Sequence, residues 1–314
     1  MAAKVSVCIP VYGVEKYIER CARSLFEQTM RDGIEFVFVN DCTPDKSIEI
    51  LEQVLSEYPH RKEQTKIVHH ESNKGLVGAR NTGLTHAVGE YIIHCDSDDW
   101  VELDMYEKMY NAAKENDADM VYCDYMREGN GSSTQCAGGN SSIAEDLQKE
   151  MLNRQSLGHL WNRLYRKHIA QEICFDFCPD HICFGEDLLR NMFMLNHSNR
   201  IIKISKYFYH YRRNQNSIVN SRKKYLALNA WETQQIFEKH FTAPDYREAL
   251  MHHFCWTLRF TMPFGVPPPK NYRKIFWYML KDRNFSVNAK ILFFIACINY
   301  SLASILYKRK KGIS

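Results

Sequence analysis

Short apolar runs alternate with amphipathic segments over the first 125 residues. The apolar runs predict strands at Val5–Ile9, Phe36–Val39, Lys66–His69, Glu90–Cys95 and Asp119–Tyr125. Between them, apolar residues recur at helical spacing and predict helices over Glu15–Met30, Thr43–Glu57 (with Thr43 as N-cap), Gly75–Val88 and Glu102–Asn116. Strands separated by helices of this length form βαβ units, so the pattern predicts an α/β fold with a mixed, mainly parallel sheet flanked by helices.

The pattern changes after residue 125. Glu128–Asn140 is rich in Gly, Ser and Asn and predicts a surface loop. Helices near Ser142–Asn153 and from about Glu186, with a strand at Arg200–Tyr211, follow it. Beyond Arg222 the chain reads as mostly helical, with a break at Pro263–Pro269. We therefore expect three regions, 1–125, 126–221 and 222–314, the first two being halves of one domain.

The charge is unevenly distributed. The net charge is +4, but residues 222–314 hold 16 Lys and Arg against 5 Asp and Glu, whereas residues 1–221 hold 25 against 32. This distribution excludes a protein that is basic throughout and coats nucleic acid, and we expect no nucleic-acid partner.

The cysteines favour a reducing compartment. Their number, eleven, is odd, and Cys8 and Cys95 fall inside apolar strands, as is ordinary for buried thiols of cytosolic proteins. The group Cys174, Cys178, His181 and Cys183 does not match zinc-ribbon spacing. The N-terminus lacks the apolar core of a signal peptide, so we expect no secretion.

Carboxylates follow several predicted strands, at the sheet edge where α/β proteins bind ligands. Asp41 follows the second strand, and Asp96, Asp98 and Asp99 follow the fourth. Asp96 and Asp98 share one face of an extended segment, and such a pair suits Mg²⁺ or Mn²⁺ completed by water and phosphate oxygens. The alternative is an acidic cap on the next helix, which would suit Asp99 alone.

Two further residues are ambiguous from the sequence. Asp41 lies in a stretch that is also good turn chemistry. Arg80 is either a solvated helix residue or a phosphate partner beside the acidic edge. The glycines around Arg80 do not have the dinucleotide-binding spacing.

Four motifs in order carry a family resemblance. They are Val5–Gly13 (VSVCIPVYG), Val39–Asp45 (VNDCTPD), Asn73–Gly83 (NKGLVGARNTG) and Gly89–Trp100 (GEYIIHCDSDDW). Together they resemble family 2 glycosyltransferases with a GT-A (Rossmann-like) fold, densely over residues 4–125 and more loosely to about 220. Asn40 and Cys42 depart from the common Asp-Asp-Gly-Ser form of the second motif, while Asp41 is kept.

The resemblance implies donor-binding roles. Pro10 and Tyr12 would border the nucleotide base, and Asp41 would accept a hydrogen bond from uracil. Arg80 would lie on the nucleotide side. Asp96 and Asp98 match the D-x-D pair, with Asp96 near the ribose and Asp98 as the direct metal ligand.

The resemblance also implies a catalytic base. Phe184–Asp187 (FGED) resembles the family's Glu-Asp motif, in which the Asp deprotonates the acceptor hydroxyl, so Asp187 is the expected base; the alternative is a pair of acids at a helix N-terminus. Tyr209–Ser217 resembles the stretch that closes over the donor. His210 and Arg212 are expected to touch diphosphate there, or to be an exposed basic strand end.

The function implied is metal-dependent, inverting sugar transfer. A UDP-sugar would be the donor, Mn²⁺ or Mg²⁺ the cofactor, and a saccharide or lipid-linked saccharide hydroxyl the acceptor, in cell-surface polysaccharide assembly. Two alternatives remain: a sugar nucleotidyltransferase, for which no Gly-rich activating loop is found, and a catalytically inactive binding subunit, although Asp98 and Asp187 are both present.

The C-terminal region predicts a membrane surface as partner. Asn271–Leu280 forms a basic amphipathic pattern, and the uncharged run Ile291–Tyr307 ends in Lys308–Lys311. As one helix that run would reach ~26 Å, marginal against a ~30 Å hydrocarbon core. We expect attachment to an anionic membrane at its cytoplasmic face; a helix packed on the protein itself or a true span are the alternatives.

Overall fold

The chain divides into two compact units. The computed structural model describes residues 3–129, 131–156, 158–177, 179, 181–213, 223–269, 280 and 286–311. The first unit is Met1–Gln215 and the second is Asn216–Ser314.

The first unit alternates strands and helices, as predicted. Its strands are β1 (Val5–Val11), β2 (Ile34–Asn40), β3 (Thr65–His69), β4 (Tyr91–His94), β5 (Trp100–Val101), β6 (Met120–Gly129), β7 (Ser132–Cys136), β8 (Arg163–Arg166) and β9 (Ile201–Arg212). Its helices are α1 (Ile18–Phe26), α2 (Ser47–Ser56), α3 (Gly75–His86), α4 (Met105–Glu115), α5 (Ala144–Leu152), α6 (Lys167–Phe177) and α7 (Glu186–Asn196).

One mixed sheet joins these strands. Its order is β3-β2-β1-β4-β8-β6-β9-β5, with β7 added on β6. The pairs β3/β2, β2/β1, β1/β4 and β6/β9 are parallel, whereas β8 and β5 join antiparallel neighbours. The prediction of an α/β fold with a mixed sheet flanked by helices and a helical C-terminal region is confirmed.

The apolar strand residues form the main core. Phe36 and Phe38 of β2 pack edge-on against Phe26 of α1, and all three side chains are fully buried. Burial of such side chains contributes about 1.5–3 kcal/mol each, so the parallel half of the sheet is a stable platform for the loops at its edge.

Several element boundaries differ from prediction. The predicted loop at residues 128–140 contains the hairpin between β6 and β7, whose polar, exposed second strand gave no apolar signal. Helix α2 begins at Ser47 rather than at Thr43, because the Asp45 carboxylate accepts hydrogen bonds from the backbone N–H (3.1 Å) and hydroxyl (2.5 Å) of Ser47. Helix α1 is also shorter than Glu15–Met30.

The second unit is helical. It contains α8 (Lys224–His240), α9 (Arg247–Thr261), α10 (Val287–Ile298) and α11 (Tyr300–Lys311). The run 291–307 was considered above as one helix, but the structure interrupts it at Asn299. The Asn299 side chain accepts a hydrogen bond from the backbone N–H of Leu302 at 3.0 Å. Among the described residues, no helix has the length and apolar character needed to cross a membrane. Most of the predicted amphipathic helix, residues 271–279, lies outside the described part.

Candidate active site

The sheet edge formed by the ends of β1, β2 and β4 carries the predicted donor-binding residues. Pro10 lies on β1 beyond the last residue paired with β4, where its missing N–H interrupts no bond to that strand. Tyr12 follows β1 and is 53% exposed, while Asp41 follows β2 and is buried. Asp96 and Asp98 lie between β4 and β5 and are half-buried.

Arg80 connects two distant parts of the chain. Its side chain, on α3, is only 2% exposed. One guanidinium nitrogen donates to Asp96 at 2.8 Å, and the other contacts the carboxylates of Asp187 and Glu186 on α7. Asp96 and Asp187 thus share one cation, although 91 positions separate them in the sequence.

Glu186 and Arg190 extend this arrangement into the interior. Both are almost fully buried, and their side chains form an i,i+4 ion pair at 3.0 Å. Arg190 also donates to Asn81 on α3 at 2.7 Å. We call Arg80, Asp96, Glu186, Asp187 and Arg190 the Arg80 cluster. The sequence motifs place Glu186 only in the Glu-Asp pair and give Arg190 no role; the i,i+4 spacing of the two residues was the available signal.

Burial and charge shift the protonation of the cluster in opposite directions. Burial lowers the pKa of Arg80, but the carboxylates of Asp187 and Asp96 outweigh it and hold that pKa above its ordinary value. Burial raises the pKa of Asp96, which Arg80 opposes. His94 lies beside the two arginines, and burial together with their charge holds its pKa well below the usual range. His94 is therefore neutral and adds no positive charge.

Asp187 lies at the start of a helix and keeps part of its side chain accessible. It lies in the first turn of α7, after Gly185, whose φ of 83° is the left-handed conformation that favours glycine. Arg80 contacts its Oδ1, and the side chain remains 28% exposed. The helix N-terminus stabilises a carboxylate at this position.

The donor set at Asp96 and Asp98 fits a metal that keeps most of its own shell. The described residues contain no group of three or more His, Cys, Asp or Glu side chains able to enclose an ion. Two half-exposed carboxylates match Mg²⁺ or Mn²⁺, which take one or two carboxylates and fill the rest with water and phosphate oxygens. In the group of cysteines and His181 considered above for zinc, Cys178 and the side chain of Cys174 lie outside the described residues.

Asp99 has a different role from the helix cap considered above. Its carboxylate accepts hydrogen bonds from the Tyr209 hydroxyl and from the backbone N–H of Arg212, both at 2.7 Å. The helix α4 begins only at Met105. Burial, with the neighbouring Asp98 and Asp96, raises the pKa of Asp99 well above its ordinary value. Asp99 therefore ties the end of β9 to the acidic loop.

His210 and Arg212 lie at this end of β9. The two ring nitrogens of His210 each lie 2.8 Å from a carboxylate oxygen, one of Glu128 and one of Glu102. The ring stacks on Trp100 at 5.0 Å. The guanidinium of Arg212 lies 3.8 Å from the ring centre of Tyr17. A diphosphate contact by His210 requires one of these carboxylate contacts to open.

An aromatic group lies near Asp187. His159 stacks on Trp161 at 4.4 Å, and Tyr211 stacks against both rings. Burial, with the nearby Arg163, lowers the pKa of His159 to about 3 against the opposing charge of Asp187. This neutral imidazole was not found by motif reasoning.

Comparisons with known proteins agree on one family. A family model described as "Glycosyl transferase family 2" matches residues 6–174. The uncharacterized glycosyltransferase EpsJ of Bacillus subtilis (strain 168) is 33% identical over 225 residues, which is 69% of this chain and 63% of EpsJ. The match thus covers less than two thirds of the length of EpsJ.

The solved structures with a similar fold include two complexes with a nucleotide-sugar. Staphylococcus aureus TarS 1–349 in complex with UDP-GlcNAc has a TM-score of 0.64 at 18% identity, covering 99% of this chain and 92% of TarS. The mannosyltransferase PcManGT of Pyrobaculum calidifontis, in complex with GDP-Man and Mn²⁺, has a TM-score of 0.58 at 14% identity, covering 98% and 87%. At these identities the likeness establishes the fold alone.

Proposed function

The chain belongs to glycosyl transferase family 2 and has a GT-A fold, and we propose that it is a metal-dependent, inverting glycosyltransferase. The proposed donor is a UDP-sugar, and the acceptor is a hydroxyl of a saccharide or lipid-linked saccharide. The proposed setting is the synthesis of a cell-surface polysaccharide or a teichoic-acid-type polymer. Residues 1–125 form the donor half and residues 126–221 the acceptor and base half of one domain.

The observation that carries this proposal is the ion pairing of Arg80 with Asp96 and Asp187. Asp96 belongs to the D-x-D stretch, which serves the donor, and Asp187 to the Glu-Asp stretch, which serves the acceptor. A buried arginine between them sets their separation and opposes the burial that raises the pKa of Asp96. Donor and acceptor chemistry therefore meet at one point.

The proposed mechanism is a single in-line displacement at the anomeric carbon. Asp187 accepts the proton of the acceptor hydroxyl as the new bond forms, on the face opposite the leaving diphosphate, which inverts the configuration. Asp96 and Asp98 would hold Mg²⁺ or Mn²⁺, which supplies Lewis-acid stabilisation of the leaving group. Arg80 orients the carboxylates, and Arg212 and His210 are the proposed diphosphate contacts. Positioning supplies much of the rate.

The donor base is proposed to lie between Pro10, Tyr12 and Asp41. The accessible ring of Tyr12 can stack on a base, and the Asp41 carboxylate can accept from a ring N–H. TarS, whose structure holds UDP-GlcNAc, supports a uridine nucleotide; PcManGT, with GDP-Man, makes a guanosine nucleotide the competing choice.

Release of nucleoside diphosphate tests the donor and the metal. The protein is incubated with UDP-GlcNAc, UDP-glucose or GDP-mannose, with Mn²⁺ or with EDTA. We expect UDP release that needs the metal and is lost in Asp98→Asn. It should persist in the control Asp104→Asn, whose partly exposed carboxylate pairs with Lys108. UDP release that is unaffected by EDTA and by the Asp98→Asn substitution would contradict the proposal. Pyrophosphate formed from a sugar 1-phosphate and UTP would instead favour a nucleotidyltransferase, and binding without turnover an inactive subunit.

The second unit is proposed to dock on an anionic membrane, where a lipid-linked acceptor would lie. Helices α10 and α11 bury Phe293, Ala296 and Ala303 in the core of that unit. Their other face exposes large apolar side chains, Ile298 at 68% among them, and α11 ends in four consecutive basic residues, Lys308–Lys311. Exposed apolar area beside clustered basic charge is typical of helices that lie in a membrane interface.

Vesicle binding tests this docking. We expect co-sedimentation with phosphatidylglycerol vesicles, weakened by salt, and little with phosphatidylcholine vesicles. Replacing Lys308–Lys311 by glutamines should weaken binding at least tenfold, whereas Lys223→Gln with Lys224→Gln, at the start of α8, should not. Equal binding of both vesicle types would contradict the proposal.

A further inference from the structure

A buried histidine holds the carboxylate that is proposed to read the nucleotide base. His70 follows β3, and its Nδ1 lies 2.7 Å from Oδ1 of Asp41. The backbone N–H of Lys74 donates to the same oxygen, also at 2.7 Å. The side chains of His70 and Asp41 are 3% and 4% exposed. Two donors therefore converge on one oxygen of Asp41.

The contacts of His70 fix its orientation. Its Nδ1 faces a carboxylate and so carries a hydrogen, while its Nε2 lies 2.8 Å from the hydroxyl of Thr82 on α3. Each carboxylate oxygen accepts about two hydrogen bonds. The Oδ1 atom of Asp41 is thus saturated by His70 and Lys74. Among the described residues, no hydrogen bond to Oδ2 is present.

A carboxylate with one saturated oxygen distinguishes between bases. Uracil offers a single ring N–H, at N3, which one oxygen can accept. Guanine offers two adjacent donors, the ring N1–H and the exocyclic amino group, which match a carboxylate with both oxygens open. A donor left unpaired in a closed site costs binding.

We propose that His70 is a specificity-determining residue, which occupies one oxygen of Asp41 so that the site selects a uridine over a guanosine diphosphate donor. The inference rests on the proposed function, because it requires that Asp41 lies at the base. His70 acts through Asp41 and does not itself touch the nucleotide. Thr82 keeps the imidazole in the orientation that this requires.

The affinities for UDP and GDP, measured calorimetrically with Mn²⁺, test the proposal. The wild-type protein should bind UDP at least 100-fold more tightly than GDP. His70→Phe, which lacks the donor, should narrow this ratio at least tenfold, and His70→Asn, which restores an amide N–H, should keep it within threefold. His69→Phe is the matched control, because the exposed His69 ring contacts Asn40 and not Asp41.

A double-mutant cycle separates action through Asp41 from a general structural effect. In an Asp41→Ala background, His70→Phe should leave the UDP/GDP ratio unchanged. Thr82→Val, which keeps the imidazole, should narrow the UDP/GDP affinity ratio two- to fivefold relative to wild type. This variant tests the proposal if His70→Phe does not fold. The proposal would be overturned if the UDP/GDP affinity ratio were unchanged in both His70→Phe and Thr82→Val. It would also be overturned if His70→Phe narrowed that ratio equally in the Asp41→Ala background. A wild-type protein that binds neither nucleotide would overturn the donor assignment itself.

Discussion

Removing the cation from the Arg80 cluster is expected to destabilise the first unit strongly. In Arg80→Met the side chain keeps much of its apolar volume but loses the guanidinium, which contacts Asp96, Asp187 and Glu186. Breaking a buried ion pair from one side costs about 3–5 kcal/mol, because the remaining charges stay buried without their partner. We expect the free energy of unfolding to fall by about that amount.

An exposed arginine gives the matched control. Arg23 contacts the carboxylates of Glu19 and Glu57, but on the surface. Solvent screens such pairs, so Arg23→Met should cost only a small fraction of the loss in Arg80→Met. Equilibrium urea denaturation, followed by far-UV circular dichroism, measures both variants, with the m-values compared to detect any change in the unfolding transition.

The loss in Arg80→Met should also depend on pH. Without the guanidinium, the already raised pKa of Asp96 rises further. A carboxyl group whose folded-state pKa lies above its unfolded value contributes stability at low pH, and this contribution is lost as pH rises through the folded-state pKa. The deficit should therefore shrink as pH falls from 7 toward about 4, the ordinary pKa of an aspartate. An Arg80→Met protein within 1 kcal/mol of wild type at pH 7, or no worse than Arg23→Met, would refute the reasoning.

Two further predictions concern single residues. Cys42 has a φ of 58°, in the left-handed region, where the common family motif has glycine; Cys42→Gly should raise the free energy of unfolding by about 0.5–1 kcal/mol, and a decrease in the same urea assay would count against strain. The pKa of His159 is about 3 against 6.5 when unfolded, so its contribution to stability is lost as pH falls below about 6.5. The free energy of unfolding should therefore fall by about 2 kcal/mol less in His159→Phe than in wild type between pH 7 and pH 5. An unchanged pH profile would show that folding does not protect the imidazole from protonation.

Much of the fold could be predicted because the core strands are apolar runs that can be recognised in the sequence. The runs at β1, β2 and β4 are apolar on both faces, as buried parallel strands are, and the helices between them have clear periodicity. The strand β7 could not be found, since its sequence SSTQC is polar and it pairs at the edge of β6. The break at Asn299 was missed for a different reason: a polar residue within an apolar run does not by itself end a helix.

The candidate site was only partly predictable. Asp41, Asp96, Asp98 and Asp187 could be named because local motifs carry them, and their roles stay predictions. The pairing of Arg80 with Asp187 could not, since it joins α3 to α7 across the fold, and no local spacing encodes such a contact.

The same limit applies to the supporting residues. His70 and Asp99 act on partners 29 and 110–113 positions away, so their roles become visible only in three dimensions.

The role of Asp187 is the central claim, and one pair of measurements on Asp187→Asn tests it most directly. The rate of UDP release from the best donor is measured with Mn²⁺ and acceptor or water, beside the dissociation constant for UDP. The account predicts that the rate falls about 10²- to 10⁴-fold, as for loss of a general base, while UDP affinity changes less than threefold. Full turnover in Asp187→Asn would contradict it.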